Sequence, residues 1–252
     1  MIGNHHLFVP PEDQSTPVWR YMDLGKFVRM LQTRSLFFAR ADRLGDPFEG
    51  SSTAFMARDA EMLSRPENEE LLTAAYDLPA DYARKYLTTL SSARKMFRND
   101  MYVSCWHLSK VESAAMWSLY GGSGAAIAVR ATYSALAMAL PSYVNLGKVN
   151  YLDWDSEAFN SANLFAAMLS KRASYRHESE VRALIWKQSP YPGLAFTNFG
   201  TDLPLILNDL IDRVYVSPAA PVWFEEIVTD LCRRYDLIAP VSQSDLSQQV
   251  VF

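Results

Sequence analysis

Three charged residues in the last third of the chain, Glu178, Glu180 and Arg182, are spaced two apart. Side chains two apart on a β-strand point to the same face, and Val181 and Ala183 on the opposite face are apolar, so we predict a half-buried strand with a polar face. Two carboxylates beside a guanidinium could hold a sugar hydroxyl and stabilise positive charge at a reacting carbon. The same pattern is also typical of a solvated ladder of charges. Lys171 and His177 lie near enough in sequence to join either arrangement.

A second pair of carboxylates, Asp46 and Glu49, lies in the segment DRLGDPFEG, whose glycines and proline predict a loop. Pro47 restricts the backbone and would hold the two carboxylates in a defined relative position. They could bind a cation or act as an acid–base pair. Alternatively, Asp46 caps backbone N–H groups while Phe48 fills the core.

Aromatic side chains precede the glycine-rich stretch GGSG. Trp117 and Tyr120 are three apart and share one face of a predicted short helix, with Trp106 upstream. Their place beside a glycine-rich turn favours the approach of a flat ligand, whereas their spacing is equally typical of a core. Arg20 and Tyr21, on the first predicted strand, are open to the same two interpretations.

Other reactive side chains fit no known pattern. Ser104 could be a nucleophile, but no His or Asp is suitably spaced and GxSxG is absent, which argues against acyl-transfer hydrolysis. Cys105 and Cys232 show no CxxC or Cys/His spacing, so we expect reduced thiols and no zinc site. The GGSG stretch precedes a predicted strand instead of opening a helix, which excludes a dinucleotide-binding turn of the Rossmann type.

Composition restricts the class of protein. The chain has 252 residues, 49% of them hydrophobic and 21% charged, and a net charge of -4, so no global positive field attracts nucleic acid. The polar first residues do not resemble a signal peptide, and no apolar run approaches the roughly 20 residues that span a bilayer. We therefore expect a cytoplasmic protein that does not bind a membrane.

The elements that would position these groups alternate irregularly between strand–turn–strand and strand–helix–strand. That order favours an α+β fold with a central mixed or antiparallel sheet flanked by helices. We predict an extended arm (1–17), a single domain (18–240) with a helical insertion near 54–98, and a polar tail (241–252). The predicted strands are 18–21, 35–41, 101–109, 125–130, 147–152, 179–186 and 212–218, and the predicted helices outside the insertion are 23–33, 112–120, 133–140, 155–173 and 222–235.

Four segments follow one another along the chain: VWRYMDLGKFVRMLQTRSLFFARADRLGDPFEG, VSCWHLSKVESAAMWSLYGGSGAAIAVR, KVNYL and KRASYRHESEVRALIW. In this order they resemble the bacterial DUF2971 family, whose members have an aromatic first strand, an "NDPFE" loop, an "MW-x-x-Y" block and an "E-x-E-x-R" strand. The resemblance implies common ancestry and brings no settled activity.

The layout is also similar to that of ADP-ribosyltransferases, which implies an enzyme that uses NAD and transfers ADP-ribose to a protein or nucleic-acid acceptor. The implied setting is bacterial defence or a toxin system. In that hypothesis Glu180 or Glu178 is catalytic. The cofactor would be held by Arg20, Tyr21, Trp117 and Tyr120.

Two alternatives belong to other classes. One is a non-catalytic module that binds a small molecule or a partner. The other is a nuclease that holds Mg²⁺ through carboxylates. Those carboxylates would be Asp46, Glu49, Glu178 and Glu180.

Overall fold

A computed structural model describes residues 5–121, 124–161, 163–188 and 193–247. Within them the chain divides into two compact units. Unit 1 is built from the described residues of Met1–Ala39, Tyr102–Lys148 and His177–Phe252, and unit 2 from those of Arg40–Met101 and Val149–Arg176. The predicted helical insertion falls within unit 2.

The strands are β1 (Pro17–Asp23), β2 (Ser35–Arg40), β3 (Met101–Leu108), β4 (Ala126–Thr132), β5 (Asn145–Lys148), β6 (Asn150–Leu152), β7 (Ser170–Arg172), β8 (Glu180–Trp186), β9 (Gly200–Pro204), β10 (Arg213–Val216) and β11 (Val241–Gln243). The helices are α1 (Leu24–Thr33), α2 (Ala54–Leu63), α3 (Glu69–Tyr76), α4 (Ala80–Asp100), α5 (Ala114–Gly121), α6 (Tyr133–Ala139), α7 (Leu164–Met168), α8 (Leu207–Leu210) and α9 (Val222–Arg234). Short 3-10 turns lie at Ala41–Arg43, Pro66–Asn68, Ala173–Glu178 and Asp245–Ser247.

A mixed sheet forms the centre of unit 1, and in the described residues it has nine strands. Its main path runs β11-β10-β4-β1-β3-β2-β9, and β8 joins β3 to β5. β1 is antiparallel to β4 over its whole length and to β3 at Trp19↔His107. The β10–β11 pair is parallel, whereas β4–β10 and β5–β8 are antiparallel. The predicted α+β fold with a mixed central sheet is confirmed.

The two faces of this sheet carry different side chains. One face, here called the core face, joins alternate residues of the strands to α1, α6, α8 and α9 in a single apolar cluster. β1 contributes Val18 and Met22 to that cluster, and β8 contributes Val181 and Ala183. The opposite face carries a smaller aromatic cluster under α5 that includes Trp19, the residue after Val18.

Local signals account for the beginning of unit 1. The Asp23 side chain accepts a hydrogen bond from the Lys26 N–H at 2.8 Å and so caps α1, as predicted. The helix ends at Arg34, whose left-handed φ of 47° lets its N–H reach the carbonyls of Leu31 and Met30. In chain order α1 lies between β1 and β2, two strands that the sequence also predicts, and it buries Phe27.

Unit 2 is mainly helical. α3 packs against α4, and a small apolar cluster joins Leu63, Leu72, Ala80 and Ala83. α7 and the parallel pair β6–β7 complete the unit. The insertion predicted near 54–98 thus forms three helices, α2, α3 and α4.

The predicted helix at 155–173 is wrong over most of its length, because only α7 is helical among its described residues. Polar side chains hydrogen-bond their own backbone in this segment and so compete with the helix. Asp153 accepts from the Asp155 N–H at 3.1 Å, and Asn163 accepts from the Phe165 N–H at 3.0 Å. Predicted strand 147–152 is likewise interrupted at Val149, which separates β5 from β6.

No helix in the described part of the chain is long and apolar enough to cross a membrane.

Candidate functional site

Glu180 and Arg182 form a buried ion pair on β8. Arg182 donates from Nε and Nη2 to the two carboxylate oxygens of Glu180, at 2.9 and 3.0 Å. Only 5% of Glu180 and none of Arg182 is exposed. Such a bidentate pair, removed from water, is costly to break on either side, so its first role is structural.

The pair lies on the face of β8 that points away from the core face. Val181 and Ala183 join the core cluster, so the residues that alternate with them point to the other side of the strand. Arg20 alternates with Trp19 on β1 and therefore shares the core face with Val18. The structure does not bring Arg20 and Glu180 to one face of the sheet.

The predicted strand face shared by Glu178, Glu180 and Arg182 is wrong for Glu178, because β8 begins at Glu180 and the intervening Ser179 has a left-handed φ of 39°. Glu178 takes part in the fold through its backbone instead. Its carbonyl oxygen accepts a hydrogen bond from His107 Nδ1 at 2.5 Å, at the end of the 3-10 turn that includes His177. Burial lowers the pKa of His107, and the bond to the carbonyl opposes that shift in part. The imidazole is therefore a neutral hydrogen-bond donor at neutral pH.

The Asp46 loop in unit 2 matches each carboxylate with a cation. Arg172 donates to both oxygens of Asp46, at 3.1 and 3.0 Å, and one of these oxygens also accepts from the Phe48 N–H. Lys171 Nζ lies 3.4 Å from Glu49, and both side chains are buried. The loop is thus held by charge pairs within unit 2, in agreement with the capping interpretation of Asp46. The accompanying prediction that Phe48 fills the core is wrong, because 44% of Phe48 is exposed.

The aromatic cluster under α5 is a closed packing arrangement. Tyr21 and Trp117 meet edge to face with ring centroids 4.9 Å apart, and both are buried. Tyr21 Oη accepts from the Ser113 N–H at 3.0 Å, and burial raises the pKa of this phenol to about 12. Trp117 donates its indole N–H to Glu112 at 2.8 Å. The polar atoms of both rings are therefore engaged in holding α5 on the sheet.

Sequence reasoning missed Glu112. Its carboxylate accepts from the Trp117 indole, from Ser244 Oγ and from the Asp245 N–H, the last at 2.9 Å. It joins the beginning of α5 to the segment after β11. The signal in the sequence was weak, because its partners Ser244 and Asp245 lie more than a hundred residues away.

Arg20 presents a different arrangement. Its Nη1 donates to Ser104 Oγ at 2.9 Å and its Nη2 to the carbonyl of Phe37 at 2.8 Å. The guanidinium lies 5.9 Å from the ring centre of Trp106. Both acceptors are uncharged, and no ion pair with a carboxylate joins Arg20 in the described residues.

The charge of Arg20 is consequently poorly solvated and not neutralised. Burial lowers its pKa to about 10, while Cys105 and Tyr120 raise the pKa by smaller electrostatic effects. Arg20 remains a cation at neutral pH, and it keeps part of its surface open.

Ser104 is a hydrogen-bond acceptor for two neighbours and shows no sign of activation. It is fully buried and accepts from Arg20 and, at 3.2 Å, from the Trp106 indole. This double contact fixes the position of the guanidinium. Of the predicted cofactor residues, the structure brings Tyr21 to Trp117 under α5, whereas Arg20 points to the other face of the sheet. Gly122 and Ser123 of the GGSG stretch lie outside the described residues.

No group of three or more His, Cys, Asp or Glu side chains in the described residues is arranged to hold a metal ion. Comparison with known proteins adds no assignment, since no family model, curated protein or solved structure matches the chain. Membership of the DUF2971 family therefore stays a prediction from the sequence motifs.

Proposed function

We propose that unit 1 binds a small molecule through a phosphate or similar anionic group, and that Arg20 is the residue that holds it. The observation that carries this proposal is a desolvated guanidinium whose two acceptors, Ser104 Oγ and the Phe37 carbonyl, are uncharged. A cation taken out of water without a counter-charge is unfavourable, and an anion that enters the site removes that cost.

The surroundings of Arg20 favour this ligand chemistry. The guanidinium fork suits two oxygens of one phosphate, and its orientation is fixed in advance by Ser104 and by the β2 backbone. A charge-assisted hydrogen bond in such a place contributes roughly 1.5–3 kcal/mol.

NAD is the first ligand to test, because it carries a pyrophosphate and because the sequence layout is similar to that of ADP-ribosyltransferases. Transfer of ADP-ribose remains a second proposal, motivated by the E-x-E spacing of Glu178 and Glu180. The opposite orientation of Arg20 and Glu180 makes binding the function that the geometry supports better.

A thermal-shift experiment distinguishes the ligand class. NAD and inorganic pyrophosphate should each raise the Tm of the protein, because ligands that bind the folded state stabilise it by mass action. Nicotinamide riboside, which lacks phosphate, should leave the Tm unchanged. An equal shift with the riboside, or none with either phosphate compound, would overturn the proposal.

Nicotinamide release tests the transferase proposal separately. The protein is incubated with NAD, alone and with protein or nucleic-acid acceptors, and released nicotinamide is measured. Release above that of an Arg20→Gln variant would establish catalysis. NAD binding without release under any of these conditions would leave a binding module.

A further inference from the structure

Unit 2 contains a buried arginine, Arg94, that has no carboxylate partner in the described residues. Arg94 lies near the end of α4, and only 8% of the residue is exposed. Its Nη1 donates to Ser52 Oγ and its Nη2 to the carbonyl of Ser161 at 3.3 Å, while the ring of Phe159 lies 5.3 Å away. All of these neighbours are uncharged.

The third nitrogen of the Arg94 guanidinium, Nε, has no acceptor in the described residues. Arg94 Nε is shielded from water and makes no hydrogen bond there. The groups that raise the pKa of Arg94 are the phenols of Tyr86 and Tyr76, whereas burial, the larger effect, lowers it. A buried donor that stays unsatisfied on a buried cation is strongly unfavourable.

The other buried cation of unit 2 shows the contrast. Lys171 is as deeply buried as Arg94, and it has the carboxylate of Glu49 beside it. The half-buried Arg172 is matched by Asp46 in the same way. Arg94 therefore differs from Lys171 and Arg172, and an external anion would give it the counter-charge that these two cations have.

We infer that Arg94 is the centre of an oxyanion-binding site in unit 2, which takes a phosphate or carboxylate group of a small ligand. Tyr76 and Tyr86, whose ring centroids are 5.8 Å apart, form the wall of the site and can donate from their hydroxyls. Tyr86 is 38% exposed, so the ligand approaches from that side. This inference is independent of the site at Arg20.

Isothermal titration calorimetry at constant ionic strength tests the inference. To isolate the site, the titrations use the Arg20→Gln variant as the background, with inorganic phosphate in one series and acetate in the other. We expect one binding event in the background protein, and adding Arg94→Gln should weaken it about ten-fold or more. The stronger of the two series identifies the ligand group.

Arg98→Gln is the matched control. Arg98 lies one turn further along α4 and donates to the Pro47 carbonyl at 3.0 Å. Its Nε also makes no hydrogen bond in the described residues, but Asp42 is nearby, and Arg98 helps to lower the pKa of that carboxyl. Loss of this cation should leave anion binding unchanged. If Arg98→Gln and Arg94→Gln weaken anion binding equally, the effect comes from the net charge of the surface and the inference is overturned.

Arg94→Lys addresses the case in which Arg94→Gln does not fold. Circular dichroism checks the fold of each variant, and the lysine variant should bind the anion more weakly than the background protein, because a point charge replaces the planar fork. Unchanged affinity in Arg94→Lys or in a folded Arg94→Gln, or no binding in the background protein, would contradict the proposed site.

Discussion

Arg182 and Arg20 lie on the same sheet of unit 1 and point to opposite faces. Arg182 is completely buried and meets both oxygens of Glu180 within 3.0 Å. Arg20 is less buried and meets a hydroxyl and a backbone carbonyl. The charge balance around an arginine thus separates the two roles. An arginine paired with a carboxylate stabilises the fold, whereas one without a carboxylate partner remains available for an anion.

The largest expected effect is a loss of stability at the ion pair between Glu180 and Arg182. Glu180→Gln removes the counter-charge of a fully buried guanidinium and should lower the free energy of unfolding by about 3–5 kcal/mol. Urea unfolding followed by fluorescence measures the change. If the stability stays within experimental error and only an activity is lost, Glu180 is a functional residue and the comparison fails.

Two further variants control this measurement. Glu226→Gln, on the exposed side of α9, should change stability by less than about 0.5 kcal/mol. The double variant Glu180→Leu/Arg182→Met should be more stable than Glu180→Gln, because apolar residues of similar volume often replace a buried pair at little cost.

A smaller effect is expected at the Asp46 loop. Asp46→Asn replaces a carboxylate that accepts two bonds from Arg172, and it should lower stability by about 2 kcal/mol. Arg172 keeps 30% of its side chain exposed, so water compensates in part and the loss is smaller than at Glu180. A loss as large as that of Glu180→Gln in urea unfolding would contradict this ranking.

The smallest effect is a pH dependence carried by His107. Its pKa is lowered in the folded protein, so below the ordinary value near 6.5 the unfolded chain binds more protons and stability falls. The contribution is complete above that value and disappears as the pH falls through the folded pKa. Between pH 7.5 and 5.5, His107→Gln should reduce the pH-dependent loss of stability by about 1 kcal/mol in urea unfolding. An identical pH dependence in both proteins would show that His107 does not contribute.

The fold was predictable where its signals are local. Strand alternation at Val18–Met22 and the Asp23 cap lie within a few residues of the elements that they specify. The segment 155–173 failed because Asp153 and Asn163 satisfy backbone groups with side-chain oxygens, an effect that the spacing of apolar residues does not contain.

The site was less predictable, because its partners are distant in sequence. The residue types at Asp46 and Arg20 could be singled out from sequence. Their partners could not, since Arg172 is 126 residues from Asp46 and Ser104 is 84 residues from Arg20. Whether an arginine meets a carboxylate depends on the assembled sheet and loops. The presence or absence of that carboxylate decides whether the arginine has a structural or a binding role.

Calorimetric titration of inorganic pyrophosphate, with the wild-type protein and Arg20→Gln at one ionic strength, is the sharpest test of whether Arg20 binds an anion. Arg29→Gln serves as the control, because Arg29 is exposed and already paired with Asp202. We predict that Arg20→Gln weakens pyrophosphate binding about ten-fold or more and changes the free energy of unfolding by less than about 1 kcal/mol. Arg29→Gln should change the free energy of unfolding as little and leave pyrophosphate binding unchanged. Equal affinity for pyrophosphate in all three proteins would contradict the assignment of Arg20 as the anion-binding residue.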